Sequence, residues 1–306
     1  MPSFFRTRSF ESLSVELDQA IAWLSSLGMR FEATRIAQYQ KDISALNGAI
    51  QAGSVDELLN RRTFPHLVNS INEASELVFI YRGLGSIQNQ DIKERLAHFI
   101  KGPVSSISEN ADGASHTPRD IGFELCVASL FALADYSIDF HGIADLRIID
   151  DSKVIFIECK RPSSVNSIQK NVRKAIKQLR KRYLSAAHTH TVFGLAAISM
   201  SKVLKTADQL LISGNELDLN HKMGELLERF VRQHERHWQS EQNSKTIGAL
   251  VHLQVCSVIE AYKILTPSQE FAANNIVQPG TDDYNYLLGM RNRLQNGLQK
   301  GMGVGA

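Results

Sequence analysis

The chain has 306 residues, 43% hydrophobic and 22% charged, values that suit a folded globular protein and exclude a disordered or fibrous one. That length gives room for one large domain or two ordinary ones. The formal net charge of +2 is near balance, so attraction for a polyanion has to come from local clustering of charge. Cys126, Cys159 and Cys256 lie far apart, lack CxxC spacing and sit among apolar residues, which reads as reduced thiols and a cytoplasmic location. No window reaches the roughly 18 to 20 apolar residues of a membrane span, and the N-terminus lacks a long apolar core behind its basic residues. A soluble, unexported protein without a membrane partner is expected.

Residues 11 to 101 carry helical spacing and almost no strand alternation. Leu13, Val15, Leu17, Ile21, Trp23, Leu24 and Leu27 form an apolar stripe that stops at Gly28, and Ile36, Tyr39, Ile43, Leu46 and Ile50 form another that stops at Gly53. Further helices are expected at 66–82 and 89–101. The stretch 102–119 is rich in Gly, Ser, Pro and Asn and reads as a loop at a domain boundary. Beyond it the pattern predicts a helix at 120–134, then three strands, YSIDF, DLRII and VIFIECK, separated by turns at HG and DDS. A basic helix at 167–185, a strand at 191–200, an amphipathic helix at 218–239 and a strand at 249–259 follow. The order implies an α/β mixed sheet with helices on its faces. Residues 296–306 offer nothing to pack and are expected to be mobile. The division expected is a helical N-terminal region at 1–104, a core at 105–265 and a C-terminal extension at 266–306.

Asp145 opens the second of the three strands and Glu158 closes the third. If the two strands are antiparallel neighbours across the DDS turn, both carboxylates reach the same edge of the sheet. The Cys159 carbonyl lies beside Glu158, and Lys160 points to the same side of the strand as Glu158. Two carboxylates and a carbonyl are hard oxygen donors suited to Mg²⁺ or Mn²⁺, and an ammonium beside them can orient an attacking water. Phosphodiester hydrolysis needs charge neutralised on the phosphate, a more nucleophilic water and help for the departing oxygen, and a metal held by carboxylates can supply all three.

These residues resemble the PD-(D/E)XK, or restriction-endonuclease-like, nuclease superfamily. The resemblance covers about 120–200 and rests on the acid of the second strand, Asp145, and on Glu158-Cys159-Lys160. It implies a restriction-endonuclease-like mixed sheet flanked by helices and a metal-dependent nuclease, with DNA favoured over RNA as substrate and a bacterial restriction or defence role by analogy. It further implies an acidic helper on the preceding helix, for which Glu124 stands in place, and a glutamine on the following helix, for which Gln178 is the candidate, with Tyr183 nearby. Two departures from the family pattern are present. Ala144 stands where many members have proline, and the Gln178 to Tyr183 spacing is one residue longer than in the subgroup using such a pair.

Between Gln169 and Arg182 there are seven basic residues and no acidic one. Ile168, Val172, Ile176, Leu179 and Tyr183 step by three and four, so the helix turns Lys170, Arg173, Lys174, Lys177 and Lys181, with Arg180 and Arg182, toward phosphates or solvent. Weaker features read as loop or surface: His188 and His190, His234 and His237, the GLGSIQNQ stretch, and His116 with Arg119. The N-terminal helices are candidates for a homodimer or protein-partner surface. A catalytically inactive nucleic-acid-binding or protein-interaction protein on the same fold is the alternative.

Overall fold

The computed structural model describes residues 3–7, 10–54, 64–106, 109, 117–140, 144–185, 191–206, 209–236, 245–261 and 264–302. Among the described residues the chain begins with a strand, β1 (Ser3–Thr7), and four helices, α1 (Phe10–Ser26), α2 (Arg35–Gln51), α3 (Phe64–Leu84) and α4 (Gln90–Phe99). The predicted stops hold: Gly28 and Gly53 have φ of 77° and 69°, the left-handed backbone that glycine accepts without cost at a helix end. Thr34 caps α2 by accepting from the Ile36 N–H, and Asn89 caps α4 by accepting from the Asp91 N–H at 2.7 Å.

Helix α5 (Thr117–Leu133) leads into a meander, β2 (Ser137–Asp139), β3 (Leu146–Asp150) and β4 (Lys153–Lys160). Asp150 pairs with Lys153, leaving a two-residue turn in which Asp151 adopts φ of 51°. Aspartate tolerates that conformation better than most residues, and the turn fixes the register. Helix α6 (Ile168–Ser185) returns the chain to β5 (Thr191–Ser199), parallel to β4. Then come β6 (Leu210–Ser213), α7 (Glu216–Gln233), β7 (Thr246–Ile259), β8 (Ile264–Asn275) and α8 (Asp282–Met302).

The eight strands form one mixed sheet in the order β1-β8-β7-β5-β4-β3-β2, with β6 also on β7. Strands β4, β5 and β7 run parallel at its centre, and antiparallel pairs extend it on both sides. One face is covered by α1–α5 and α8, whose apolar residues merge with Ile155, Ile157, Leu195 and Leu250. Helices α6 and α7 cover the other face through Ile168, Val172, Ile176, Leu219, Met223 and Leu227. Each such fully buried side chain is worth about 1.5 to 3 kcal/mol.

Several sequence expectations are corrected. Strands β1, β6 and β8 have no counterpart in the sequence pattern, and β7 starts three residues before the strand expected there. The segment expected to be mobile is largely the end of α8, where Leu294, Leu298 and Met302 are buried; residues 303–306 lie outside the described residues. Among the described residues no helix is long and apolar enough to cross a membrane. All three cysteines are buried and free, as their setting in the sequence suggests.

Candidate active site

The hairpin places Leu146 opposite Ile157, so the next pair outward is Asp145 and Glu158, at the carboxyl end of β4. Side chains alternate along β4: Ile155 and Ile157 join the α5 face, whereas Val154 and Phe156 pack beneath Leu179 and Tyr183 of α6. Glu158 and Lys160 continue the α6 side. Glu158 is fully buried, and the side chains of Asp145 and Lys160 are 23% and 10% exposed.

The Lys160 ammonium is the point on which the site converges. It donates to Asp145 Oδ2 at 3.1 Å, to Glu158 Oε2 at 3.3 Å and to the Cys159 carbonyl at 2.8 Å. These are the three oxygen donors that the sequence assigns to a metal. Asp145 Oδ2 also accepts from the Cys159 N–H at 2.8 Å, which pins the acid to the end of β4. The sequence places Lys160 beside a metal; the structure places its ammonium at the centre of the oxygen cradle. An ammonium and a divalent ion compete for such a position because both are hard cations satisfied by oxygen.

Electrostatics follow from burial. Glu158 is pushed up to about 7 by desolvation and then by the neighbouring Asp145, against the lowering pull of Lys160 and Arg182. Burial alone would lower the Lys160 ammonium, yet Asp145 and Glu158 outweigh it and hold it above its ordinary value. Arg182 donates to Glu158 Oε1 at 3.1 Å and so joins the site, a role that the sequence pattern does not assign it. The signal is present: Arg182 follows Gln178 by four residues and shares its side of α6.

Other expected residues are less convergent. Glu124 is ion-paired with Arg95 of α4, and burial, then Asp145, pushes it up to about 7. It feels the Asp145 charge, but its hydrogen bond goes to Arg95. Gln178 has its Oε1 buried without a hydrogen-bond partner. Tyr183 bonds Thr246 at 2.7 Å and lies over Gly194, where a Cβ would meet its hydroxyl at 1.8 Å. Lys170, Arg173, Lys174, Lys177 and Lys181 are exposed on α6. His116, His188, His190 and His237 lie outside the described residues. Among the described residues no group of three or more His, Cys, Asp or Glu side chains is placed to hold a metal ion; the third oxygen at this site belongs to a backbone carbonyl. The donors do fit the group in kind, being hard oxygens gathered on one cation, and the buried, unpaired Gln178 Oε1 adds an unused acceptor on α6.

Arg119 corrects an expectation as well. It is buried in α5, donating to Glu73 Oε1 at 2.7 Å. Arg35 donates to Glu73 Oε2 at 2.8 Å, and Arg119, Arg161 and Lys202 all approach the buried Glu109. Glu73 is detectable in the sequence: it stands four residues before Leu77 and seven before Ile80, on a helix face that also carries Asn69, Ser70 and Glu76 among its apolar residues.

His252 of β7 is 4% exposed, between Phe123 and Phe271. Desolvation, with Arg161 adding to it, lowers its pKa from 6.5 to about 3. The folded state therefore refuses a proton that the unfolded chain takes up, so this residue withdraws stability as pH falls from 6.5 toward 3. Urea unfolding at pH 7 and pH 5 is expected to show a loss for the native chain about 2 kcal/mol larger than for His252→Gln. Equal losses would place the His252 proton affinity near its ordinary value.

No protein-family model, no curated protein and no solved structure matches this chain.

Proposed function

We propose that the chain is a divalent-metal-dependent nuclease, built on a restriction-endonuclease-like core, that hydrolyses phosphodiester bonds, with DNA favoured over RNA as substrate. The observation that carries this reading is the convergence of Asp145 Oδ2, Glu158 Oε2 and the Cys159 carbonyl on a single cation. The order α5-β2-β3-β4-α6-β5, with three antiparallel strands and a parallel fourth, supports it.

Asp145, Glu158 and the Cys159 carbonyl would hold Mg²⁺ or Mn²⁺, which when bound supplies Lewis acidity toward the phosphate and a more acidic water. The burial of Glu158 strengthens its hold on any cation, and Arg182 fixes its second oxygen. Lys160, withdrawn from the cradle, stays tethered beside it and orients the attacking water. Gln178 offers an acceptor on the same helix as Arg182, and Glu124 contributes charge from behind Arg95. The exposed basic side chains of α6 draw the phosphate backbone toward the edge where Glu158 lies.

Incubating the chain with supercoiled plasmid, single-stranded DNA and RNA, in Mg²⁺, Mn²⁺ or EDTA, tests the proposal. Cutting that EDTA stops is expected; intact substrates under every condition would overturn it. The basic face has its own signature. Replacing Lys170, Lys174 and Lys177 together by alanine is expected to weaken DNA binding and to flatten the log K against log salt slope by about one for each phosphate no longer neutralised. An unchanged slope would remove α6 from the interface.

A second reading has one observation behind it: the Lys160 ammonium and the Arg182 guanidinium together already balance the two carboxylates, which suits a nuclease fold that binds without cutting.

A further inference from the structure

A cavity of about 400 Å³ lies on the opposite face of the sheet from Glu158, at the carboxyl ends of the parallel strands β4 and β5 and beside His252 and Gln254 in the middle of β7. Carboxyl ends of parallel strands are the usual ligand crevice of open α/β sheets, and the volume falls in the range of small-molecule sites, roughly 300 to 1,000 Å³. It is closed on the far side by α3 and α5.

Two polar atoms in its lining are buried and have no hydrogen-bond partner, His252 Nδ1 and Asn72 Oδ1. Their roles follow from their neighbours. The Gln269 amide nitrogen donates to Cys126 Sγ at 3.2 Å and lies 2.9 Å from His252 Nε2, so Nε2 is the acceptor and the imidazole proton sits on Nδ1. His252 thus offers an unused donor, and Asn72, whose Nδ2 is spent on the Thr206 carbonyl, an unused acceptor. Glu76 lines the same cavity, and among the described residues no cation is bonded to it. Burial, then Glu73, pushes its carboxyl up to about 7, so it can accept or donate. Unsatisfied buried groups of both kinds cost about 1 to 3 kcal/mol each unless something fills the cavity.

The charge around the cavity is not balanced. Arg35, Arg119, Arg161 and Lys202 share three carboxylates, Glu73, Glu109 and Asp120, which leaves one positive charge over. Lys205, exposed on the rim, adds a second. Glu76 offsets at most one of the two. Exposure falls from Lys205 to His252, so the cation marks the open end and the unused base-pairing groups mark the closed one.

We propose that this cavity binds a nucleoside monophosphate, its phosphate at Lys205 and Lys202 and the polar edge of its base at Glu76, Asn72 Oδ1 and His252 Nδ1. A nucleobase edge carries N–H donors beside acceptors, which is the complement of what these three side chains leave unused. An inorganic anion would use only the rim, and a nucleoside only the interior. Arg161, in the lining, directly follows Lys160, so occupancy would be felt at the end of β4.

Titration calorimetry of the full chain in EDTA with each of the four 5′-nucleoside monophosphates, with inorganic phosphate and with the free nucleosides tests this. At least one nucleotide is expected to bind about tenfold or more tightly than phosphate or its own nucleoside. Glu76→Met, which also removes a carboxyl repelled by Glu73, and Lys205→Asn, which suits the φ of 52° at that position, are each expected to weaken binding about tenfold with the thermal midpoint retained. Asp145→Asn is expected to bind as the native chain does. Absence of nucleotide binding, equal binding of phosphate alone, or binding lost in Asp145→Asn and kept in the other two variants would each overturn the proposal. The test does not depend on cleavage.

Discussion

Lys160→Met is expected to bind Mn²⁺ about tenfold more tightly than the native chain and to cleave nucleic acid at least about 10²-fold more slowly. Both effects come from the same three hydrogen bonds. The ammonium stands 3.1, 3.3 and 2.8 Å from Asp145 Oδ2, Glu158 Oε2 and the Cys159 carbonyl. Burial, and then the neighbouring Asp145, push Glu158 up, so the two carboxylates need a cation beside them. With the lysine present, a metal has to displace a bonded ammonium; with methionine there, the cradle is open and more negative. The same substitution deletes the group proposed to orient the water. Calorimetry and plasmid cleavage read the two effects separately. A lysine that merely stabilised the hairpin would give slower cleavage with weaker metal binding, because a loosened β3–β4 end would scatter the donors.

Glu73→Ala is expected to destabilise the chain by about 3 to 5 kcal/mol, the usual cost of stranding a buried charge, read as a fall in the urea midpoint. The side chain lies on α3 and is held by Arg35 of α2 and Arg119 of α5. Removing it leaves both guanidiniums buried, Arg35 at 1% and Arg119 at 2% exposure. Burial alone would raise the Glu73 carboxyl, but the two arginines outweigh it and keep it ionised, below its ordinary range. Because the pairs are buried, the loss is expected to persist in about 0.5 M salt, where an exposed pair would already be screened. A loss below about 1 kcal/mol would mean that the network contributes no more than a surface pair.

The β3–β4 hairpin is legible because each local signal agrees: an apolar run, an Asp-Asp-Ser turn whose middle residue takes a left-handed backbone, and acids at matching ends. Helix ends at Gly28 and Gly53 are legible for the same reason. Strand β8 is not, since ILTPSQEFAANN carries Pro267, Gln269 and Glu270, residues that usually argue against a strand interior. It is a strand because it lies between β1 and β7, where long-range pairing overrides the local composition. The C-terminal glycines mislead in an instructive way. Gly297 and Gly301 read as looseness, yet a Cβ at 297 would meet the Leu130 carbonyl at 2.8 Å and one at 301 would meet the Phe79 ring at 2.3 Å. They are the points at which α8 approaches α5 and α3.

Site chemistry divides in the same manner. That Asp145, Glu158 and Lys160 meet follows from register, which spacing encodes. That Lys160 turns into the cradle, and that Glu124 is taken by Arg95, depends on partners distant along the chain. The His252 and Asn72 cavity depends on α3 packing across β7, which no local pattern announces.

The most direct measurement is titration calorimetry of Mn²⁺ into the native chain and into the Asp145→Asn/Glu158→Gln double variant. Saturable binding by the native chain that the double variant loses is the predicted result. No binding by the native chain, or binding of equal affinity and stoichiometry in both, would contradict a metal site at the end of β4.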